Sequence, residues 1–101
     1  MHKQTKAVDI SPAVKQRVWE RDSQSCVLCG SPFAAPNAHV IARSHGGLGI
    51  EQNIVTLCHD CHDRYDNGPE RPYIREELIS YLKGWYPDWD AKALIYKKGG
   101  G

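Results

Sequence analysis

The apolar residues near the N-terminus of the chain follow a helical spacing. They share one stripe of a helix and comprise Ala13, Val14, Val18 and Trp19. Ser11 followed by Pro12 is typical of a helix N-cap and a first helical position. We therefore predict a helix that ends near Arg21, preceded by residues 1–10 as a polar, mobile leader.

Two short apolar segments in the middle of the chain have the composition of β-strands. The first is AHVIAR, residues 38–43, and the second is NIVTL, residues 53–57. A glycine-rich stretch, residues 46–49, lies between them and is expected to be a flexible loop. These segments predict an antiparallel two-stranded ribbon.

Helical patterns return after the ribbon. A helix of roughly two turns is predicted through His62 to Asp66, because the turn-forming sequence Asn67-Gly68-Pro69 ends it. A longer helix follows Pro72 and ends near Gly84, with an apolar stripe made of Ile74, Leu78, Ile79 and Leu82.

This order of elements predicts a small α+β fold. We expect a single domain over residues 11–97, with a motif core at residues 21–66 and a C-terminal helical part at residues 70–97. Residues 98–101 end the chain in three glycines and are expected to be a disordered tail.

Four cysteines occur in two C-x2-C pairs, Cys26 with Cys29 and Cys58 with Cys61, and 28 residues separate the pairs. Thiolates are zinc ligands, and two such pairs can close around one tetrahedral ion. A chain of 101 residues buries only a modest core, which a bound metal would brace. We therefore predict a structural Zn²⁺ site held by the four cysteines.

The same cysteines could instead form disulfides or act as redox groups. The sequence has neither the apolar stretch of a signal peptide at its start nor an apolar run of transmembrane length. We therefore expect a cytoplasmic protein without a membrane partner. In the cytoplasm, C-x2-C pairs are more often metal ligands or redox groups than structural disulfides. A redox pair is typical beside a βαβ pattern, which is not visible here.

Charge is distributed unevenly along the chain. The net charge is only +1, which argues against binding of nucleic acid by electrostatic attraction alone. Residues 1–22 carry a charge of +2 and residues 23–66 a charge of −2. The acidic centre suits a region that binds cations.

The segments AHVIARSHGG and NIVTLCHDCHDRYD place a histidine, an asparagine and a histidine in order: His39, Asn53 and His62. Together with the two cysteine pairs, this pattern resembles the HNH endonucleases, whose ββα-metal motif carries these three residues and is often braced by zinc. The similarity runs from Arg21 to Asp66. It implies a nuclease that hydrolyses DNA phosphodiester bonds and leaves 5′-phosphate and 3′-hydroxyl ends.

The resemblance also implies a role for each residue. His39 is expected to be the general base, since an imidazole can accept a proton near neutral pH. Asn53 is expected to cross the ribbon and hold the His39 ring in its orientation. His62 and Asp66, spaced i,i+4 on one helix face, are expected to bind a catalytic divalent cation. A carboxylate ligand favours Mg²⁺ or Mn²⁺.

One position departs from the family pattern. Many members carry a metal-binding aspartate or histidine just before the base, whereas this chain has Ala38. The third protein ligand is therefore absent, replaced by water or phosphate oxygens, or supplied by a neighbour such as Asn37. The same departure keeps an alternative open, a non-catalytic zinc-finger-like module that binds DNA or a protein.

Arg43 and His45 precede the glycine stretch. Arg43 is a candidate DNA-binding residue that could clamp a phosphate, with the glycines allowing close approach of the backbone, or it could pair with Glu51 at the surface. His45 is interpreted as a surface residue, and so are His59 and Asp63, although the last two repeat the i,i+4 spacing.

Partners follow from the resemblance alone. It implies DNA as the partner and a phage or prophage origin, with phage terminase or other DNA-packaging proteins as further partners in a bacterial cell. RNA is the alternative substrate, because a base and a cation that act on phosphate would serve both polymers.

Overall fold

The chain folds as helices packed on a two-stranded sheet, and a computed structural model describes residues 3–97 of it. The helices are α1 Lys3–Val8, α2 Pro12–Arg21, α3 His59–Asn67 and α4 Arg71–Trp85, and the strands are β1 Ala34–His39 and β2 Ile54–Cys58. The tail predicted at residues 98–101 lies outside the described residues. The predicted α+β fold is confirmed.

The predicted antiparallel ribbon is present, but the boundaries predicted for its first strand are wrong. β1 begins at Ala34 and ends at His39, whereas we predicted residues 38–43. Beyond His39 the backbone leaves the sheet, and Arg43–His45 forms a 3₁₀ turn. The second strand begins and ends one residue later than predicted, at Ile54–Cys58.

β1 contains an irregularity that composition alone would not suggest. Ala35 pairs with Leu57 and Ala38 with Val55, so β1 advances three residues while β2 advances two. The extra residue forms a β-bulge within the segment that contains Pro36, which has no N–H to donate to the sheet. This explains how a proline-containing segment, which has poor strand propensity, still forms a strand.

The helix predicted after Ser11 is confirmed. The Ser11 hydroxyl accepts the Val14 N–H at 3.2 Å and caps α2. Val14 and Val18 are buried against Ile54 of β2, whereas Ala13 is exposed and so lies off the buried stripe.

The segment expected to be a leader contains α1 and a core residue. Val8 is only 4% exposed. The Ala7 carbonyl accepts the Gly49 N–H at 3.0 Å, so the C-terminal end of α1 docks on the loop between the strands. The proposed division of the chain into domains stays a prediction.

The main core lies between the sheet, α3 and α4. Both predicted helices are present, and Tyr65 of α3 packs with Leu78 and Leu82 of α4 and with Val55 of β2. Within residues 3–97, no helix combines the length and the apolar character that a membrane span requires.

A buried ion pair ties the second helix to the rest of the fold. Both Arg21 and Asp22 have side chains almost without solvent exposure, and the guanidinium donates to the carboxylate at 2.7 Å. Asp22 also accepts the Thr56 N–H at 2.8 Å and the Tyr81 hydroxyl at 2.6 Å. α2, β2 and α4 therefore meet at one carboxylate.

Candidate active site and metal centre

The four cysteines converge from two separate turns. Their Sγ atoms all lie within 4.8 Å of one another. Cys29 and Cys58 are 3.6 Å apart at Sγ, far beyond the roughly 2.05 Å of a disulfide bond. A tetrahedral ion with metal–sulfur bonds of about 2.3 Å would separate its ligands by about 3.8 Å. The cluster therefore fits one tetrahedral metal ion.

Local hydrogen bonds shape each cysteine turn. Gly30, at a φ of 80°, ends the first turn with its N–H on the Cys26 carbonyl at 2.8 Å. Cys58 caps α3, and its Sγ accepts the Cys61 N–H at 3.4 Å. The Val27 N–H donates to the Thr56 carbonyl at 3.0 Å, which joins the first turn to β2. The sheet thus fixes the spacing of the two turns.

The same environment shifts the acidity of the thiols. Burial by itself raises the pKa of the Cys26 thiol, but backbone hydrogen bonds, the largest from Cys29, outweigh it and lower that pKa to about 7. Burial, followed by hydrogen bonds with the neighbouring cysteines, raises the pKa of Cys61. One thiol is therefore readily ionised, and a bound cation would favour the thiolate form of the others.

A second concave region lies beside the sheet on the α3 side. It is a cleft of about 320 Å³. Its polar lining comes from β1, the turn after it, α3 and α4, and comprises Asn37, His39, Arg43, Ser44, His62, Asp66 and Arg71. Four of the predicted site residues, His39, Arg43, His62 and Asp66, are thus brought together in one cleft, while Asn53 is not part of its lining.

The His39 ring is oriented by a backbone carbonyl. Its Nε2 lies 2.8 Å from the Val8 carbonyl oxygen. Because a carbonyl oxygen only accepts hydrogen bonds, Nε2 carries the hydrogen and the neutral ring keeps its lone pair on Nδ1. Burial is the largest cause that lowers the pKa of His39, and the nearby Arg43 and His62 charges lower it further. The hydrogen bond with the Val8 carbonyl raises the pKa but does not outweigh these effects. The neutral ring is therefore favoured at neutral pH.

His62 and Asp66 meet one turn apart on α3. The His62 Nε2 and Asp66 Oδ2 atoms are 3.2 Å apart, and both side chains are partly exposed. Two ligands at right angles on an ion with bonds of about 2.1 Å would be about 3.0 Å apart. The pair therefore fits two adjacent ligands of one small divalent cation.

Within residues 3–97, no third His, Cys, Asp or Glu ligand clusters with His62 and Asp66. In the described part of the chain, the four cysteines are the only group of three or more His, Cys, Asp or Glu side chains whose ligand atoms cluster within 4.8 Å. Ala38 is 0% exposed and packs in the core. Asn37, which follows Pro36 in the bulged part of β1, does line the cleft.

The hydrogen bonds of Asn53 differ from those expected. Its side chain was predicted to hold the His39 ring, but it is fully buried and bonds to backbone instead. Its Oδ1 accepts the Ile41 N–H at 2.8 Å, and its Nδ2 donates to the carbonyls of Ile41 and Leu48 at 3.2 and 2.9 Å. Asn53 therefore closes the loop between the strands, and the His39 ring is oriented by Val8.

Arg43 is paired with a residue that sequence reasoning did not consider. Its Nη2 lies 2.7 Å from the Asp9 carboxylate. The alternative predicted partner, Glu51, instead contacts Arg17 at 3.4 Å. That expectation of an Arg43–Glu51 pair is wrong, because the segment after α1 places Asp9 beside the loop.

The glycine stretch, which we predicted to be a flexible loop, is packed against the rest of the protein. Gly46, Gly47 and Gly49 are buried. A Cβ on Gly49 would lie 2.1 Å from the Asp9 carbonyl oxygen, so glycine is required there for the close approach of two backbones. The Gly46 carbonyl also accepts the Tyr96 N–H at 2.7 Å. The glycines therefore allow this loop to pack closely against two other segments of the protein, one near each end of the described chain.

Two histidines and one aspartate were predicted to be surface residues. His45, His59 and Asp63 are exposed, as predicted. Val8 and Arg71 are the site residues that sequence reasoning missed. Arg71 stands next to the predicted helix start, but a single arginine between Glu70 and Pro72 carries no motif that would have singled it out.

Comparison with known proteins identifies the region that holds the cleft. A family model described as HNH endonuclease matches residues 26–68. The CRISPR-associated endonuclease Cas9 of Corynebacterium diphtheriae is 24% identical over 92 residues, which cover 78% of this chain and 8% of that protein. The protein named Anaredoxin of Nostoc sp. is 34% identical over 55 residues, which cover 54% of this chain and 72% of that protein.

Proposed function

Because the chain belongs to the HNH endonuclease family, we propose that it is a metal-dependent endonuclease that hydrolyses phosphodiester bonds in DNA. The observation that carries the proposal is the convergence of His39, His62 and Asp66 in one cleft. An imidazole poised to accept a proton beside a pair of cation ligands suits hydrolysis of a phosphodiester.

In the proposed reaction His39 is the general base. The Val8 carbonyl keeps the ring hydrogen on Nε2, so Nδ1 would take a proton from the attacking water. His62 and Asp66 would hold a divalent cation, which when bound supplies charge stabilisation for the phosphate and the leaving 3′ oxygen. The products would carry 5′-phosphate and 3′-hydroxyl ends.

The cation ligands offered by the chain are few. His62 and Asp66 supply two, and the Asn37 carboxamide, water or phosphate oxygens would complete the shell. Mg²⁺ commonly keeps several waters and binds few protein groups, so two protein ligands are compatible with Mg²⁺ or Mn²⁺.

We further propose that the four cysteines hold a structural Zn²⁺. Four thiols within 4.8 Å suit zinc, although a site of four sulfurs also accepts iron. Reduced thiols of this kind are typical of the cytoplasm, and we place the protein there, in a bacterium or a phage-infected host cell. Association with phage terminase or other packaging proteins rests on the family resemblance alone and stays a prediction.

The second candidate function is a non-catalytic module that binds DNA or a protein. It is favoured by Ala38, which is buried where many family members carry a further metal ligand. A binding module would need the cysteine site but would have no use for a proton acceptor beside His62 and Asp66.

A supercoiled plasmid assay separates the two candidates. Purified protein is incubated with plasmid in EDTA and then with added Mg²⁺ or Mn²⁺, beside His62→Ala and Asp66→Ala variants. We expect nicked or linear DNA only with added cation and strongly reduced cutting by both variants. Absence of cleavage with every cation, or cleavage that persists in EDTA, would overturn the proposed metal-dependent nuclease.

A further inference from the structure

Two arginines line the cleft, and they differ in their partners. The Arg43 guanidinium is held by Asp9 at 2.7 Å, which offsets its charge. Arg71 lines the same cleft, and in the described part of the chain no carboxylate oxygen lies within 4.0 Å of its guanidinium. The cleft therefore contains one arginine whose charge is compensated and one whose charge is available.

The Arg71 side chain is supported by an aromatic ring. Its Cζ lies 5.5 Å from the centroid of the Tyr65 ring. Tyr65 is itself 1% exposed, and its hydroxyl donates to the carbonyl of Val40, the residue after His39. Stacking on a ring fixes the plane of a guanidinium and leaves its N–H edge free for oxygen acceptors. The orientation of Arg71 is thus linked to the strand that carries His39.

The position of Arg71 in its helix adds to its positive potential. Arg71 is the first residue of the 15-residue helix α4, followed by Pro72. The N–H groups of Arg71 and Tyr73 are already bonded to the Gly68 and Glu70 carbonyls, so the partial positive charge at this helix end comes from the aligned peptide dipoles, which favour anions near it. Both the side chain and the helix end therefore favour an anionic ligand at this wall of the cleft.

We propose that Arg71 is a phosphate-binding residue of the cleft. It donates charge-assisted hydrogen bonds to a non-bridging oxygen of the DNA backbone, next to His39 and His62. This assignment rests on the proposed nuclease function and deepens it. The sequence suggested Arg43 as the phosphate-binding residue, whereas this assignment gives that contact to Arg71. Arg71 lies outside residues 26–68, the region that matches the family.

The salt dependence of DNA binding tests this proposal without any need for turnover. A fluorescently labelled DNA duplex is titrated with His39→Ala protein by fluorescence anisotropy at several NaCl concentrations, without divalent cation. Arg71→Gln and Arg71→Lys are then introduced into the same background. Arg75→Gln is the matched control, since Arg75 lies one turn later on the same helix, exposed and outside the cleft lining.

Loss of one phosphate contact should reduce the slope of log K against log salt by about 1. We expect this reduction for Arg71→Gln, a slope near that of the parent for Arg71→Lys, and no change for Arg75→Gln. Thermal melting and bound zinc are measured for each variant. Should Arg71→Gln fail to fold, Arg71→Met, which keeps the length and apolar stem of the side chain, replaces it.

Each further result has a defined consequence. An unchanged slope in folded Arg71→Gln, or an equal reduction in Arg75→Gln, overturns the assignment of Arg71. If the slope depends on Arg71 but the wild-type protein cuts no plasmid, the assignment stands and the nuclease proposal fails. If no variant binds DNA even at low salt, both proposals fail together.

Discussion

The His39 Nε2 atom and the Val8 carbonyl oxygen lie 2.8 Å apart, although the two residues are 31 positions apart in the chain. Val8 lies outside the region that matches the HNH family, residues 26–68. The hydrogen bond fixes which ring nitrogen of His39 carries the hydrogen. The N-terminal segment is therefore part of the candidate active site.

Gly49→Ala tests this dependence on the N-terminal segment without altering the base. The new Cβ would meet the Asp9 carbonyl oxygen at 2.1 Å and the Val8 carbonyl oxygen at 2.8 Å, so that backbone must shift. A shift of about 1 Å in a catalytic group can reduce the rate roughly 100-fold. We expect plasmid cleavage to fall by about that factor.

Gly84→Ala is the matched control for this prediction. A Cβ on Gly84 would meet nothing within 4 Å, and the residue lies in α4, away from the cleft lining. We expect its cleavage rate to equal that of the wild type and its stability to change by less than about 1 kcal/mol. Equal rates in Gly49→Ala and Gly84→Ala would show that the docked segment does not position the base.

The pH dependence of cleavage should reflect the environment of His39. Burial, Arg43 and His62 lower its pKa from the ordinary value of 6.5. Only the neutral ring can accept a proton, so activity should be complete at neutral pH and fall as the pH drops through the lowered pKa. We expect the acidic limb of the kcat/KM profile to lie below pH 6.5. An acidic limb well above that value would contradict the assignment.

Metal content tests the cysteine site directly. We expect elemental analysis to find one zinc per chain and a Cys61→Ser variant to lose it, because Cys61 is 4% exposed and holds α3 against the sheet. Structural zinc contributes directly to folding, so the variant should melt at a much lower temperature or not fold. His59→Ala, beside Cys58 but exposed, should retain the metal. Bound iron, or a stable metal-free protein, would contradict the zinc assignment.

Asp22→Asn tests the buried ion pair. Removing the carboxylate charge would leave the Arg21 guanidinium, whose side chain is 6% exposed, without its counter-ion. Breaking such a pair costs about 3–5 kcal/mol. We expect urea denaturation of the zinc-loaded protein to show a loss of that size. Glu20→Gln, a neighbouring exposed carboxylate, should change stability by less than about 0.5 kcal/mol, and equal effects of the two variants would refute the prediction.

Features that depend on local spacing could be predicted from the sequence. The two C-x2-C pairs predicted a tetrahedral metal site, and the i,i+4 spacing of His62 and Asp66 predicted that they share a helix face. Ser11 and Pro12 marked the start of α2 to the residue. Each cysteine pair, the His62–Asp66 pair and the helix cap lie within about one helical turn, where backbone geometry largely determines which side chains meet. The meeting of the two cysteine pairs was predicted instead from the four ligands that one tetrahedral ion takes.

Features that depend on long-range contacts could not be predicted. The docking of Val8 on His39 and of Asp9 on Arg43 brings together residues more than 30 positions apart. Nothing in the local sequence distinguishes Gly49, which needs glycine for a backbone contact, from a glycine in an open loop. The β-bulge beside Pro36 likewise depends on pairing with β2. The first strand was therefore predicted several residues too late in the chain.

The central claim is that His39 is the general base of a nuclease, and single-turnover cleavage of supercoiled plasmid tests it most directly. The wild type and His39→Ala are compared with Mg²⁺ or Mn²⁺ at pH 7.5, after both are confirmed to be folded and zinc-loaded. Loss of a general base should slow cleavage by about 10²–10⁴-fold, and we expect His39→Ala to show this loss. Equal cleavage rates for the two folded proteins would contradict the account.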